Sequence, residues 1–235
     1  MKLRALLTKG EAIRFISHLD YASLIERAIR RAKLPVAYSE GFNPHMKFSF
    51  ASALAVGVTS EAEVMDVELS RPVAQPEAWD RIAAALPPGV RLGRLVPYEG
   101  KAKSLMAAVD RAEYRVRVPY AGTEEEARCA VAAFFAAPEA VYRRVLPKKT
   151  REVDAKAYLK EIRVEKEGGC LLLFLAIAVT PAGSLKPGEA IGLLAHDFGL
   201  AVEPREAEIC RTAPLNGLSP ALFSALSLLP SPPNL

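Results

Sequence analysis

The first 38 residues, MKLRALLTKGEAIRFISHLDYASLIERAIRRAKLPVAY (residues 1–38), hold an alternating segment, a helical segment and a second extended segment in one short span. Leu3, Ala5 and Leu7 alternate with Lys2, Arg4 and Leu6, which predicts a strand over residues 2–7. Ile13 and Phe15 are expected to extend that strand or pair with it across a Lys9–Gly10 turn. From residue 20 to 33 the period changes. Leu24, Ile25, Ala28 and Ile29 fall at helical spacing, with Glu26, Arg27, Arg30 and Arg31 on the other faces. Pro35 ends the helix, because it supplies no amide hydrogen and drives Leu34 out of the α region. Extended structure resumes at residues 36–38.

The pattern continues outward as strands over residues 48–53 and 64–69. A helix over 76–86 follows, with Trp79, Ile82, Ala83 and Leu86 on one stripe and a proline near its start. Pro87, Pro88 and Gly89 stop it, and 90–96 returns as a strand. The second half repeats the order. Its elements are a strand over 113–118, a helix over 124–136 capped by Thr123, a strand over 140–145 and a strand over 170–179 buried on both faces. A helix over 187–198 and a strand over 206–213 follow, then a short helix over 218–229 and a frayed tail. The order β-α-β-β-α-β, met twice, predicts an α+β protein of two tandem ferredoxin-like domains with a short C-terminal helix. The domains are expected at 1–100 and 111–235, with a linker near 98–110 and a basic connection over 143–160.

The chain has 235 residues, 51% of them hydrophobic and 25% charged, enough for a sizeable core and unlike a disordered chain. The net charge of +4 is modest, and its distribution says more. Nine bases stand against four acids between Lys2 and Lys47, and seven bases against two acids between Arg143 and Lys160. Cys129, Cys170 and Cys210 are scattered among apolar neighbours, which argues for buried free thiols and against a disulfide framework or a cysteine-rich metal site. The charged N-terminus does not resemble a signal peptide, and the apolar run over 170–179 is too short for a bilayer. A cytoplasmic protein with no membrane role is expected.

Residues 13–50 carry the chemistry. Ser17, His18 and Asp20 stand where the helix begins, and a short polar side chain there caps free amides that otherwise favour an anion. One role for Ser17 or Asp20 is simply the N-cap. The other adds His18, able to meet a phosphate or move a proton near neutral pH. In the turn SEGFNPHMK (residues 39–47), Phe42, Asn43, His45 and Lys47 suit a stacked base and a phosphate oxygen, or else a structural turn. Arg14, Arg27, Arg30, Arg31 and Tyr38 either extend this positive face or are ordinary solvated side chains. Arg143, Arg144, Lys148, Lys149 and Arg151 form a secondary basic patch, read as a flexible charged loop or a clamp on a polyanion. No phosphate-binding glycine loop, nucleophile elbow or iron–sulfur cysteine cluster is present in the sequence. Two histidines without a third ligand at known spacing do not make a metal site, so no metal and no cofactor are expected.

The run from Arg14 to Leu69, with FISHLD (residues 15–20), ERAIRRAKLPVAYSEGFNPH (26–45) and VGVTSEAEVMDVEL (56–69), resembles the radical SAM-linked family. That is a bacterial family of unknown function, encoded beside a radical SAM protein or fused to its C-terminal end. Weaker landmarks follow at residues 151–165 and 206–215. By the resemblance, the motif residues are His18, Asp20, Tyr38, Ser39, Gly41, Phe42, Asn43, Pro44, His45 and Lys47, with Ser60, Glu61 and Asp66 downstream. Met46 stands where the family commonly has proline. No catalytic role comes with these positions. The resemblance implies a radical SAM enzyme as partner and a setting near translation or RNA metabolism.

The function expected is noncatalytic RNA recognition or substrate presentation for that enzyme, with tRNA or rRNA modification as its setting. Two alternatives stand beside it: a module that docks on the radical SAM enzyme without meeting RNA, and a metal-independent endoribonuclease with His18 and His45 as base and acid. The shared-site expectation requires His18 and His45 to open onto one cationic hollow.

Overall fold

The structure is a computed structural model and describes residues 1–98, 105, 109–146 and 149–214. It is a mixed α+β fold built on a large, mostly antiparallel sheet, with five α-helices among the described residues. The first half contains β1 (Lys2–Lys9), α1 (His18–Arg31), β2 (Phe48–Phe50), β3 (Val58–Glu68), α2 (Gln75–Ala85) and β4 (Leu92–Tyr98). The second contains β5 (Arg111–Pro119), α3 (Glu124–Ala136), β6 (Val141–Leu146), β7 (Lys149–Asp154) and α4 (Ala155–Tyr158). It continues through β8 (Leu159–Glu167), β9 (Cys170–Thr180), β10 (Gly183–Ser184), α5 (Pro187–Asp197) and β11 (Glu208–Pro214). The expected helix over 218–229 lies outside the described residues, as does most of the expected linker.

Nine strands form one sheet in the order β10-β9-β5-β11-β3-β1-β4, with β2 also on β3 and β8 also on β9. Within the first half the neighbours run β4-β1-β3-β2, and within the second β11-β5-β9-β8. The two halves meet edge to edge, because β11 runs parallel to β3 over Val58–Ser60. On that same edge β2 pairs with Met65, Asp66 and Val67. The Ala51 amide also donates to the Val64 carbonyl, so a notch at positions 61–63 separates β11 from the β2 edge.

The period of two explains how β1 and β3 serve two cores. Leu3, Ala5 and Leu7 with Met65 and Val67 pack under α1 and α2, joined by Tyr21, Ile25, Ile29 and Ile82. Leu6, Ala62 and Val64 point the other way, into the larger core that includes Val116, Phe134, Leu173 and Ile191. Each fully buried aliphatic side chain contributes about 1.5–3 kcal/mol relative to exposure.

Several local expectations change. Residues 11–13 form a 3-10 turn, so Ile13 and Phe15 do not extend β1, and Phe15 is exposed. Residues 36–38 make only isolated bridges, Val36 to Leu69 and Tyr38 to Met46. The described residues of the connection over 143–160 are not a loop: β6 and β7 form a hairpin in which Val145 is exposed and Val153 is buried opposite Tyr142, followed by α4 and β8. Cys129 is exposed, and Cys170 and Cys210 are half-buried.

Candidate functional site

α1 begins as its sequence dictates. Ser17 has extended backbone and its Oγ accepts the Asp20 amide hydrogen at 3.1 Å, while the same hydroxyl donates to the Asp20 carboxylate at 2.7 Å. Ser17 and Asp20 thus satisfy one another as a cap. His18 is the first helical residue and turns inward. Its ring meets Phe50 edge-on at 5.4 Å between centroids, and its Nδ1 is buried without a hydrogen-bond partner among the described residues. Arg14 pairs with Glu11 at 3.0 Å and lies over the exposed Phe15 ring.

Beneath His18 lies a set of buried ionisable groups. Lys9 is 1% exposed, Glu63 1% and Arg211 4%. They come from the strands that the seam brings together: Lys9 stands opposite Ser60, Ser60 opposite Arg211, and Arg211 opposite Tyr114. Lys9 Nζ donates to the carbonyls of Arg14 and Ile16, both at 3.0 Å, and so fixes the turn before α1. Arg211 Nη1 donates to Glu63 at 2.9 Å, and its Nη2 donates to the Ala53 carbonyl and to the Tyr114 hydroxyl. Tyr21 donates its hydroxyl to the Thr8 carbonyl at 3.0 Å.

Burial sets the electrostatics. It lowers the Lys9 pKa, and the Glu63 carboxylate opposes that effect. It also lowers the His18 pKa; Glu63 acts against it, and Arg211 and Lys9 reinforce it. Burial alone would lower the Arg211 pKa, but Glu63 and Tyr114 reverse the sign and hold the guanidinium firmly charged. The Tyr21 phenol is pushed up, first by burial and then by Glu63. The site is a neutral imidazole above two cations and one carboxylate.

The remaining motif residues gather elsewhere. Arg27, Arg30 and Arg31 lie toward the other end of α1, where Arg30 pairs with Glu26 at 2.6 Å and Arg31 donates to the Ala85 carbonyl that ends α2. Tyr38 sits close enough to Arg30 to act on it electrostatically. The loop over 39–47 is closed at its base, since the Ser39 amide donates to the His45 carbonyl and the His45 amide to Ser39 Oγ. Gly41 takes φ +119°, which only glycine adopts readily, and Phe42 beyond it is fully exposed at 106%. Asn43, Pro44 and His45 are exposed as well, and Lys47 lies 3.9 Å from Glu68.

The motif therefore divides in two, and His18 and His45 do not converge. α1 has 14 residues, which at about 1.5 Å each separates its ends by about 20 Å. The neighbours agree: His18 packs on Phe50, whereas His45 is tied to Ser39, beside the Tyr38 that acts on Arg30. The single cationic hollow expected from the sequence is absent among the described residues. Downstream, Ser60 accepts the Ala62 amide, Glu61 pairs with Arg115, and Asp66 holds Arg4 in a two-pronged pair at 2.7 and 2.8 Å while accepting from Tyr98. Burial, then Asp66, pushes Tyr98 up to about 12.

The secondary basic patch also changes. Arg144 is no surface clamp, because it is locked to Glu189 by Nε at 2.7 Å and by Nη2 at 2.5 Å, with a further bond to the Ser184 carbonyl. Arg143 pairs with Glu152 across the hairpin, and Arg151 donates to the Ala182 carbonyl. Lys149 is exposed, and Lys148 lies outside the described residues. No group of three histidine, cysteine or acidic side chains is placed to hold a metal ion among the described residues. No described helix is long and apolar enough to cross a membrane.

Lys9, Glu63 and Arg211 escaped the sequence reading, although a signal for two of them exists. Lys9 keeps the inward phase of Leu3, Ala5 and Leu7, and Glu63 that of Met65 and Val67. A charge in the inward phase of a strand marks a buried ionic group.

No curated protein matches this chain. Among solved structures, a chain in the crystal structure of a Cbf5-Nop10-Gar1 complex is similar over 91% of this chain and 48% of its own, with TM-score 0.50 and 12% identity. At that identity the likeness concerns the fold alone, and this chain spans about half the length of the other. The crystal structure of an unknown protein from Galdieria sulphuraria matches over 88% of this chain and 96% of its own at 12% identity, with a TM-score of only 0.25. A profile described as an uncharacterized protein conserved in bacteria, DUF2344, matches residues 2–187.

Proposed function

We propose, for a chain that belongs to the DUF2344 family of uncharacterised bacterial proteins, a noncatalytic role in presenting structured RNA to a radical SAM enzyme. Phe42 carries this reading. A phenylalanine left wholly in solvent gains nothing for the fold, yet it stands at the tip of a loop whose base is tied by two hydrogen bonds. A ring held this way suits stacking on an unpaired base. Tyr38, His45 and Lys47 flank it, and Arg27, Arg30 and Arg31 supply charge for the phosphate backbone along the same end of α1. Each half is read as a ferredoxin-like unit, since both repeat the same strand order. The radical SAM partner is implied by the family resemblance of residues 14–69.

The endoribonuclease alternative needs His18 and His45 on one scissile bond, and the separation of the two ends of α1 works against it. Docking on a protein partner remains the competitor, because an exposed ring also fits an apolar pocket. Fluorescence anisotropy with a structured RNA separates the two. Phe42→Ala should weaken RNA binding about tenfold, the worth of one stacked base, and affinity should fall steeply between low and physiological salt. Undetectable RNA binding, together with salt-resistant capture of the radical SAM protein, would favour the docking module instead.

A further inference from the structure

Among the described residues, four buried side-chain polar atoms lack a hydrogen-bond partner: His18 Nδ1, Ser52 Oγ, Arg111 Nε and Arg211 Nε. Three of the four border one short stretch. Ser52 belongs to it, the His18 ring packs on Phe50, and Arg211 Nη2 donates to the Ala53 carbonyl. In a guanidinium, Nε–H and Nη2 share an edge, so the unused Arg211 N–H faces the side on which Ala53 and Tyr114 lie. This stretch bonds to Val64 through the Ala51 amide and passes the notch at positions 61–63, between β11 and β2. Buried polar atoms are nearly always paired in folded proteins, so three orphans gathered at one notch call for a common partner.

The charge balance points the same way. Lys9 and Arg211 are buried with a single buried carboxylate, Glu63. One positive charge is left over in a region where desolvation makes it costly. The first amides of α1 add the positive end of a helix dipole. His18 and Ser52 are half-buried and Ala53 is exposed, so the three buried atoms lie close beneath the surface along that edge.

We propose that this seam binds one phosphate group, with Arg211 Nε–H and Ser52 Oγ–H donating to its oxygens and the His18 ring closing the third side. An anion there would offset the surplus charge and give all three orphans a partner. The phosphate is either that of a small ester or one in a nucleic-acid strand; the chemistry that recognises it is the same. This site is independent of the Phe42 surface, and the two stand or fall separately.

The test is a titration of the full chain, followed through the Arg211 Nε–H resonance by nitrogen–proton NMR. Inorganic phosphate should shift that resonance saturably, and Ser52→Ala should weaken the binding about tenfold, as loss of one charge-assisted hydrogen bond predicts. Phe42→Ala should leave it unchanged. A second arm compares short oligoribonucleotides with and without a terminal phosphate: preference for the terminal phosphate identifies an ester end, and equal binding an internal strand phosphate. A resonance unmoved by phosphate, or one that shows only exchange with ordered water, overturns the proposal. So does a shift that Ser52→Ala leaves intact. Ser52→Ala removes one small hydroxyl, so the variant should fold, and its unfolding midpoint checks this.

Discussion

Arg211 distributes one guanidinium over three separate segments: Glu63 on β3, Tyr114 on β5 and the Ala53 carbonyl. Removing it would leave the Glu63 carboxylate buried without its cation, which costs about 3–5 kcal/mol. Arg211→Ala should therefore lower the urea midpoint far more than Arg143→Ala, whose pair with Glu152 is exposed. Equal effects would mean that the buried pair is not the structural link between the halves. His18 gives a second expectation at this scale. Its folded pKa is lowered, by burial above all, so between that value and about 6.5 the unfolded chain binds more protons than the folded one. Stability should fall as pH drops below about 6.5. In His18→Phe the denaturant midpoints at pH 7.5 and 5.5 should lie closer together; an undiminished gap would assign the pH response to other groups. These residues were only partly legible beforehand. Ser17, His18 and Asp20 announce a helix start through their type and order. What His18 faces depends on Glu63 and Arg211, and the latter pair lies 148 positions apart. No local pattern carries that contact.

At the scale of elements, α1 shows what a sequence states and what it omits. Its apolar stripe and the Leu34–Pro35 stop fix its existence and its inward face, and Tyr21, Ile25, Ala28 and Ile29 are indeed buried. The stop itself involves Lys33 at φ 54°, a left-handed conformation that disfavours any side chain with a Cβ. Lys33→Gly should raise stability by about 0.5–1 kcal/mol. A lower unfolding midpoint would show that the side chain has a compensating contact. Residues 141–154 were harder to read. The bases there read as a flexible charged loop, yet β6 and β7 form a hairpin. Its extended pattern is disguised because bases stand in both phases: Arg143 shares the exposed phase of Val141 and Val145, and Arg144 shares the inner phase of Tyr142 and looks like its neighbour until Glu189 is placed beside it.

Across the whole molecule, the mixed α+β character was visible in periodicity alone, but the joining of the two halves was not. Strand pairing at the seam is made by backbone groups, which every residue carries, so β11 beside β3 leaves little trace in residue type. That pairing has a thermodynamic consequence. β1 and β3 feed both cores, and the seam carries the buried ionic pair, so neither core should melt alone. Scanning calorimetry should give one cooperative transition, whereas two resolved peaks would show that the halves unfold independently.

The order in which the chain is made adds a consequence of its own. Glu63 leaves the ribosome 148 residues ahead of Arg211. At typical translation rates that is an interval of roughly 7–30 s, during which the carboxylate has no guanidinium to meet. Burying it early would be unfavourable, so the notch should stay hydrated in the nascent protein. The first half would close fully only when the last strand arrives to fill its place.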